Sequence, residues 1–377
     1  MALRIVCLKE TRAHEKRVAL VPSVLPKLAK LGVSVRLERG AGIAASFPDQ
    51  AYPEIDFGED AVSTVADADI VLSVQPPSPE LVASMRPGTV LLCFVHPQKE
   101  PGLQEALEAH RITCFAMERV PRISRAQSLD ALSSQAALAG YYGPLLGATH
   151  IPRILPMMTT AVGSLRPARA LVMGLGVAGL QALATARRLG AITEGYDVRP
   201  ETREQAQSLG AKFVDTGIDA RGEGGYARAL TDEEKAKVEA VLSKHIADAD
   251  LIVTTAALPG RPSPKLISAA QIAGMKQGAV IVDLAAEGGG NCEGTVPGET
   301  VTVGGVTILA PLNVPSLLAQ HASELYSKNL LALLDLIVKD GALACDWSDE
   351  VVAKTALTRG AGQEPTPAPE SVRETAA

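Results

Sequence analysis

Short runs of apolar residues alternate along this chain with segments whose apolar positions recur at helical spacing. In the first 120 residues most positions within the runs are hydrophobic, and many of them are β-branched. Strands that are apolar on both faces are typical of a parallel sheet that helices cover on both sides. The strands predicted in this region are LRIVCLK (3–9), VSVRLE (33–38), DIVLSV (69–74), TVLLCFV (89–95) and ITCFAM (112–117).

The same alternation resumes after residue 167 and indicates a second unit of the same kind. Two long helical segments, about 130–146 and about 314–340, are predicted to join the two units. The predicted fold class is therefore α/β, with two Rossmann-like, doubly wound parallel-sheet domains joined by long helices. The strands predicted in the second unit are 168–174, 191–197, 212–215, 251–255, 279–284 and 306–310.

The second long helix decides the domain boundaries. If it returns to the first unit, the N-terminal α/β domain is discontinuous and covers residues 1–137 and 312–377, and the Rossmann domain covers 138–311. The tail from about residue 360 is rich in Pro, Ala and Glu. We expect that tail to be flexible, because such a composition cannot bury a core.

Composition narrows the class of protein further. The chain has 377 residues, is 47% hydrophobic and carries a net charge of −6, which argues against disorder and against a nucleic-acid-binding surface. Its five cysteines form no CxxC pair, and its histidines show no metal-ligand spacing, so we expect no disulfide framework and no metal site. The N-terminus lacks a signal-peptide core, and no apolar run approaches the roughly 20 residues of a membrane span. These features predict a cytoplasmic protein.

The sharpest local motif is a glycine-rich turn between a predicted strand and an amphipathic helix. Gly174, Gly176 and Gly179 form the pattern GxGxxG at this turn. The first glycine permits the tight turn, the second lets the backbone approach a pyrophosphate, and the third allows close packing of helix on strand. The N-terminus of the helix offers N–H groups and partial positive charge to phosphates.

An acidic residue completes the pattern, because Asp197 ends the next predicted strand. A carboxylate there accepts ribose hydroxyls and repels a 2′-phosphate, which favours NAD(H) over NADP(H). Arg199 is a complication, since an arginine near this position can also hold a 2′-phosphate. GxGxxG alone would also fit a glycine-rich turn that binds nothing. Strand, helix and carboxylate together favour a dinucleotide, and the carboxylate's place at the strand end favours NAD(H).

A longer set of motifs resembles one known family. PRISRAQSLD (121–130) is highly specific, and KETRAHEKRVALVP, GLGVAGLQALATARRLGA, GEGGYARAL, TTAALPGRP, VDLAAEGGGNCEGT and NVPSLLAQHASELYSKNL extend the match over roughly residues 1–340. With these segments the chain resembles the NAD(H)-binding alpha component of proton-translocating NAD(P) transhydrogenase. Alanine dehydrogenases share the fold and are the nearest rival.

The resemblance implies a set of residues around a bound NAD(H). At the nicotinamide it implies Arg122, Gln127, Asp130 and Ser133, with Tyr226 as a further catalytic candidate. At the pyrophosphate it implies Leu175, Gly176 and Val177, and at the adenosine ribose Asp197, Val198 and Arg199. Gly225 and Tyr226 would lie on a mobile loop that closes over the nucleotide, and Ala257 and Leu258 would flank the nucleotide.

The same resemblance implies partners. NADP(H) would lie on a separate subunit, a membrane-spanning subunit would conduct protons, and this chain would form a homodimer held peripherally at the inner face of the cell membrane. The expected activity is Re/Si-specific, proton-translocating transhydrogenation, in which hydride passes directly between NADH and NADP⁺. The chain contains one dinucleotide fingerprint, so a second nucleotide must come from another polypeptide.

The chemistry of the implied residues agrees with these roles. Gln127 and Ser133 each donate and accept hydrogen bonds and Asp130 accepts them, which suits a carboxamide. Their spacing puts them near one face if a helix begins at about Ser128. Arg122 could hold a phosphate or orient Asp130, although a solvated helix entry is the plainer interpretation of RVPRISR.

The segment 216–230 is long, glycine-rich and polar, with one aromatic residue near its centre. Such loops inside compact domains are often lids or binding loops, although a disordered surface excursion is the alternative. Tyr226 suits a lid because its ring can cover an apolar face while its hydroxyl stays in water.

Two rival functions remain open. Arg17 and His96 stand where alanine dehydrogenases place substrate-binding and acid–base residues, yet Gln75 replaces the lysine that engages their substrate. This loss of a charge partner for a carboxylate argues against amino-acid chemistry. The other rival is a non-catalytic NAD-binding module.

Overall fold

The computed structural model describes residues 2–218, 228, 230–257 and 261–360. The chain divides into two compact units. One consists of Met1–Leu132 together with Ala319–Ala377, and the other is Ser133–Leu318. We call them unit 1 and unit 2.

The N-terminal segment of unit 1 alternates strands with short helices. Five of its six strands lie inside predicted ones, and the three-residue β3 has no apolar run that could have revealed it. The strands are β1 (Arg4–Cys7), β2 (Ser34–Glu38), β3 (Asp56–Gly58), β4 (Ile70–Leu72), β5 (Val90–Cys93) and β6 (Thr113–Ala116), and the helices are α1 (Leu25–Lys30), α2 (Ala61–Val65), α3 (Pro79–Val82) and α4 (Leu103–Ala109).

A long helix, α5 (Ala131–Ala148), leads into unit 2, which repeats the alternation. A hairpin precedes the main sheet, and β14 adds an antiparallel edge strand. The strands are β7 (Met158–Thr160), β8 (Gly163–Leu165), β9 (Arg169–Met173), β10 (Ile192–Tyr196), β11 (Lys212–Phe213), β12 (Leu251–Thr254), β13 (Val280–Asp283), β14 (Thr300–Val303) and β15 (Val306–Leu309), and the helices are α6 (Val177–Arg188), α7 (Thr202–Ser208), α8 (Asp232–Asp248) and α9 (Ala269–Ala273).

The last described segment belongs to unit 1. It comprises α10 (Ala319–Ile337), β16 (Val338–Lys339), β17 (Ala342–Leu343), α11 (Glu350–Thr355) and β18 (Ala356–Thr358). Two hydroxyls of α10 accept backbone N–H groups of the loop after β1: Ser323 Oγ accepts from Val18 at 2.9 Å and Ser327 Oγ from Val21 at 3.3 Å. Among the described residues, neither α10 nor any other helix is both long and apolar enough to cross a membrane.

Both sheets have the same topology. In unit 1 the strand order is β18-β6-β5-β4-β1-β2-β3, and in unit 2 it is β11-β10-β9-β12-β13-β15-β14. All neighbouring strands run parallel except at the edges, where β18 and β14 are antiparallel. Numbered within its own unit, each parallel sheet follows the order 3-2-1-4-5-6 of dinucleotide-binding folds. The predicted fold class is confirmed.

The two units also share a sequence repeat at the entry to the fourth strand. VADADIVLSV (65–74) in unit 1 corresponds to IADADLIVTT (246–255) in unit 2. In unit 1 the N–H of Arg4 donates to Asp69 Oδ2 at 2.7 Å, and in unit 2 the N–H of Arg169 donates to Asp250 Oδ2 at 2.8 Å. An equivalent aspartate therefore anchors the start of the first strand in each sheet.

The central strands are mostly apolar because helices cover both faces of each sheet. In β9, Leu171 and Met173 join one buried cluster, and Ala170 and Val172 join another on the opposite face. Successive side chains point to opposite faces of a strand, so every position of a doubly covered strand must be apolar. The burial of β9 thus agrees with the prediction of a mainly parallel sheet covered on both faces.

Glycines of α5 let that helix lie directly against the rest of unit 2. A Cβ on Gly140 would lie 2.1 Å from the carbonyl oxygen of Ala178 in the first turn of α6, and one on Gly147 would lie 2.4 Å from Leu251 Cδ1. Real side chains do not approach so closely. The glycines of α5 therefore fix the position of the helix that carries the glycine-rich turn.

We expect Gly140→Ala to destabilise unit 2 by about 1–3 kcal/mol, because the added methyl group meets backbone that cannot move without shifting α6. Urea or thermal unfolding of the full chain measures this. Gly274→Ala is the matched control, because Gly274 has a helical φ of −84° and its Cβ would meet nothing closer than 3.5 Å. Equal stability of the two variants would contradict this account of α5.

Candidate functional site

The glycine-rich turn between β9 and α6 has the geometry that its sequence predicts. Gly174 has φ +92°, a conformation that L side chains rarely adopt, and its N–H donates to the carbonyl of Tyr196 at 2.8 Å. A Cβ on Gly179 would lie only 1.8 Å from the carbonyl oxygen of Gly174. Both positions therefore require glycine, and α6 begins as close to β9 as backbone atoms permit.

The middle glycine, Gly176, faces open space. A Cβ on Gly176 would meet no described atom within 4 Å, so packing within the described chain does not demand glycine there. Gly176 is the N-cap of α6, which runs for 12 residues, and it has no side chain to accept the N–H groups of the first turn. An open, backbone-lined N-terminus of this kind fits a pyrophosphate.

Asp197 lies beside this turn, directly after β10. It is 9% exposed, and its Oδ2 accepts the N–H of Leu175 at 2.7 Å. Arg199 donates three further bonds: its backbone N and Nε to Oδ1, each at 2.9 Å, and its Nη2 to Oδ2 at 2.8 Å. The structure thus brings Leu175, Asp197 and Arg199 together, and Val198 lies half-buried between the last two.

Asn291 fixes the loop after β12, and the sequence analysis did not identify it. Its side chain accepts the N–H of Ala256 at 3.0 Å and donates to the carbonyl of Ala256 at 2.7 Å. Thr255 Oγ1 donates to the carbonyl of Gly174 at 2.8 Å and so joins this loop to the glycine turn. Ala257, a predicted contact, follows as an exposed residue at the same end of the sheet.

Asp283 in turn holds the segment that carries Asn291. This fully buried carboxylate at the end of β13 accepts from Thr254 Oγ1 at 3.0 Å, Asn291 N–H at 2.7 Å and Thr295 Oγ1 at 2.6 Å. A buried carboxylate needs such donors to remain stable. The signal for it was the acidic residue that ends an apolar strand, which is the same pattern that identified Asp197.

The long helix predicted over about 130–146 is present as α5, but it does not extend back to Ser128. A 3-10 helix covers Ser124–Leu129, Asp130 adopts φ −69° and ψ 84° and interrupts it, and α5 starts at Ala131. Gln127 therefore lies in the 3-10 helix and Ser133 in the first turn of α5. The condition for one shared helical face, a helix that begins at about Ser128, is therefore not met, because the helical geometry changes at Asp130.

The 3-10 helix is anchored to unit 1 on one side. Asn329 Nδ2 of α10 donates to the carbonyl of Ser128 at 2.8 Å, and the guanidinium of Arg125 pairs with Asp349 at 2.5 Å. The bond from Arg125 lowers the pKa of Asp349 to about 2. Arg122 and Gln127 are exposed on this anchored segment, as binding residues must be.

Three predicted site residues, Gly225, Tyr226 and Leu258, lie outside the described residues, so their roles stay predictions. The C-terminal end of the segment that carries Gly225 and Tyr226 is anchored where α8 begins. Thr231 and Glu234 form a capping box there, and Arg228 pairs with Glu234 at 2.7 Å.

Unit 1 has a different turn at the equivalent place after its first strand. Residues 9–12 read KETR and contain no glycine. The carboxylate of Glu10 fills the turn and accepts the N–H groups of Val74 at 2.6 Å and Gln75 at 3.3 Å. A cavity of about 270 Å³ lies beside it, but its bulky turn and the N–H groups already bonded to Glu10 do not suit a pyrophosphate.

Arg17, Gln75 and His96, the positions compared above with alanine dehydrogenases, all have contacts within the protein. Arg17 is 4% exposed, and its Nη2 contacts Glu15 Oε2 at 2.6 Å. Gln75 Nε2 donates to the same Glu15 oxygen at 2.8 Å. The ring of His96 stacks on Phe94 with centroids 5.8 Å apart. A substrate carboxylate would have to compete with Glu15 for Arg17.

Burial raises the pKa of Glu10 from its ordinary value of 4.5 to about 8. The folded protein therefore binds this proton more tightly than the unfolded chain, so stability from Glu10 is full below about pH 4.5 and is lost as the pH rises towards 8. We expect Glu10→Gln to flatten the fall in unfolding free energy between pH 5 and 8 by about 1 kcal/mol or more.

Urea unfolding at several pH values measures the effect. Glu105→Gln, which removes an exposed carboxylate on α4, is the control and should follow the parent protein. An unchanged pH dependence in Glu10→Gln would show that Glu10 ionises freely in the folded state.

Comparisons with known proteins match both units of the chain. The alanine dehydrogenase/PNT N-terminal domain matches residues 6–139, and the alanine dehydrogenase/PNT C-terminal domain matches residues 143–363. The first portion of the NAD(P) transhydrogenase alpha subunit of Rhodospirillum rubrum is a chain 44% identical to this one over 371 residues, which cover 95% of this chain and 96% of that one.

Solved structures show the same likeness. The crystal structure of transhydrogenase from Sinorhizobium meliloti matches with a TM-score of 0.86 and 43% identity, over 95% of this chain and 99% of that chain. An L-alanine dehydrogenase structure matches with a TM-score of 0.78 and 25% identity, over 95% and 96% of the two chains. The resemblance to the transhydrogenase alpha component is confirmed.

Proposed function

Because the chain belongs to the alanine dehydrogenase/PNT family, we propose that it is the NAD(H)-binding component of a proton-translocating NAD(P) transhydrogenase. The observation that carries this proposal is the glycine turn at Gly174–Gly179 with Asp197 beside it. The turn offers an open helix N-terminus, and the carboxylate stands at the end of the second strand of its sheet.

The residues of unit 2 bind the adenosine half of the nucleotide. Gly176 and Val177 lie at the start of α6, where no side chain caps the helix, and their N–H groups hold the pyrophosphate. Asp197 accepts the ribose hydroxyls. The hydrogen bonds between Asn291 and Ala256 position the next residue, Ala257, at the nucleotide, and Leu258 is assigned there by the resemblance alone.

We assign the nicotinamide end to Arg122, Gln127, Asp130 and Ser133. Tyr226, which lies outside the described residues, is assigned a role there by the resemblance alone. Gln127 and Ser133 satisfy the donor and acceptor of the carboxamide, and Asp130 accepts from its amide. The anchored 3-10 helix supports this role, because a positioning group must itself be held rigidly.

Bound NAD(H) supplies a hydride at its nicotinamide ring, and a partner subunit holds the NADP⁺ that receives it. Transfer between two such rings requires apposition and exclusion of water and requires no proton transfer at the reacting carbon. The role of this chain is therefore to bind and orient one nucleotide. A membrane-spanning subunit conducts the protons and holds this chain at the inner face of the membrane.

The alternative activity is that of an alanine-type dehydrogenase, which the 25% identical neighbour represents. Its substrate would need a cationic partner for its carboxylate. Arg17 is buried and paired with Glu15, and Gln75 adds an amide where those enzymes carry a lysine. These contacts favour the transhydrogenase component.

We expect Gln127→Ala to reduce partner-dependent hydride transfer about tenfold or more while NADH affinity changes much less, because misplacement of the ring slows transfer more than it weakens binding. The assay mixes the purified chain with an NADP(H)-binding transhydrogenase component and follows oxidation of NADH by an NADP⁺ analogue. Gln277→Ala is the control, because it removes an exposed amide just before the N-terminal end of β13, whereas the candidate site lies at the carboxyl ends of the strands.

Several results would contradict the proposal. They are absence of NADH binding, absence of transfer with the partner, and reduction of NAD⁺ by L-alanine with this chain alone. Normal transfer in Gln127→Ala would remove that residue from the site and would favour a module that binds NAD(H) without catalysis.

The hairpin β7–β8 supports the proposal of a homodimer. Its side chains are exposed although many are apolar: Met157 is 68% exposed, Met158 44%, Val162 99% and Leu165 53%. A two-stranded hairpin is only marginally stable in water, and an exposed apolar patch typically marks an interaction surface. We propose that this hairpin packs on a second copy of the chain.

Val162→Asp should shift the protein from dimer to monomer, because the new carboxylate would be buried at the contact without a partner. Light scattering after size exclusion at micromolar concentration measures the mass. Ile43→Asp, at an exposed apolar residue of unit 1, should leave the dimer intact. A monomeric parent protein, or a dimeric Val162→Asp, would exclude this interface.

A further inference from the structure

Asp197 accepts as many hydrogen bonds as a carboxylate can. The N–H of Leu175 and Nη2 of Arg199 donate to Oδ2, and the backbone N–H and Nε of Arg199 donate to Oδ1. A carboxylate offers about four acceptor positions, so these bonds use all of them. Two of the four come from the guanidinium of Arg199.

A ribose hydroxyl that binds Asp197 must therefore replace a bond from this guanidinium. The two backbone bonds are fixed, because Leu175 belongs to the glycine turn and Thr202 Oγ1 donates to the carbonyl of Arg199 at 2.7 Å. The guanidinium is the outer partner, since 22% of the Arg199 side chain is exposed against 6% of that of Asp197. Only this side chain can move aside without rebuilding the turn.

We propose that Arg199 is a specificity-determining residue whose guanidinium would bind a 2′-phosphate and is prevented from doing so by Asp197. This inference rests on the proposed NAD(H) site. Asp197 thus excludes NADP(H) twice: its charge repels a 2′-phosphate, and its two oxygens hold the arginine that would neutralise that phosphate.

The charges at this end of the sheet isolate the effect. Asp197 and Arg199 together are neutral, whereas neutralising Asp197 leaves a cation at the ribose. The next arginine in the sequence, Arg203, lies on α7. It is paired with Asp215, and its guanidinium lies over the ring of Phe213 at 5.2 Å. Arg203 carries the same charge as Arg199 but pairs with Asp215 and not with Asp197, which makes it the matched control.

The test compares two probes that differ only in the 2′-phosphate, adenosine 5′-monophosphate and adenosine 2′,5′-bisphosphate, by isothermal titration of the full chain. We expect Asp197→Asn to bind the bisphosphate about tenfold more tightly than the parent protein does, equivalent to about 1.4 kcal/mol. The gain should vanish in Asp197→Asn with Arg199→Ala and persist in Asp197→Asn with Arg203→Ala.

A second measurement retains Asp197 and so does not depend on whether the Asp197→Asn protein folds. In Arg199→Ala the unpaired carboxylate should repel the bisphosphate more strongly, so the preference for the monophosphate should rise about threefold or more. Thermal unfolding checks that each variant is folded.

The proposal is overturned if the gain in Asp197→Asn survives loss of Arg199, if no gain occurs in folded Asp197→Asn, or if Arg199→Ala leaves the preference unchanged. Failure of the parent protein to bind either probe or NADH would instead overturn the proposed function itself.

Discussion

The approach of α6 to β9 is the contact on which the candidate site depends. Because a Cβ on Gly179 would lie 1.8 Å from the carbonyl of Gly174, any other residue there would push the helix away from the strand. Three features of the site depend on this contact. They are the N–H groups at the start of α6, the Leu175 N–H that donates to Asp197, and the bond from Thr255 to the Gly174 carbonyl. Gly140 extends the same constraint, since it lets α5 contact the first turn of α6. The site is therefore a consequence of backbone packing in unit 2, and its side chains act on a turn that glycine has already placed.

Each unit of this protein solves the same packing problem in the same way. Two sheets of equal strand order begin with an equivalent bond from arginine N–H to aspartate, at Asp69 and at Asp250. A sheet of this order leaves a crevice at the carboxyl ends of its first and fourth strands, where the strand order reverses. Topology alone thus predicts two crevices, and the chemistry of each turn decides what the crevice can hold.

Periodicity and composition predicted most of the fold, since doubly buried strands such as β5 and β13 are apolar at nearly every position. Short edge strands such as β3 and β18 gave no such signal, because three residues do not establish a period. The 3-10 helix before Asp130 was not predictable either, since its anchors, Asn329 and Asp349, are distant in sequence. At the candidate site, GxGxxG and Asp197 could be identified from local spacing. Asn291 could not, because its role is defined by a contact with Ala256 across the sheet.

The turns of the two crevices differ in what they offer to a phosphate. In unit 2 the turn after the first strand is glycine-rich and presents bare N–H groups, which suits a phosphate. In unit 1 the side chain of Glu10 in the corresponding turn already accepts the N–H groups of Val74 and Gln75, so these donors are not available to a phosphate as those of unit 2 are. Arg17, a nearby cation, is already paired with Glu15. Among the described residues, the turn of unit 2 therefore suits a dinucleotide phosphate and the turn of unit 1 does not. This difference agrees with the proposed function, in which a partner subunit binds the second nucleotide.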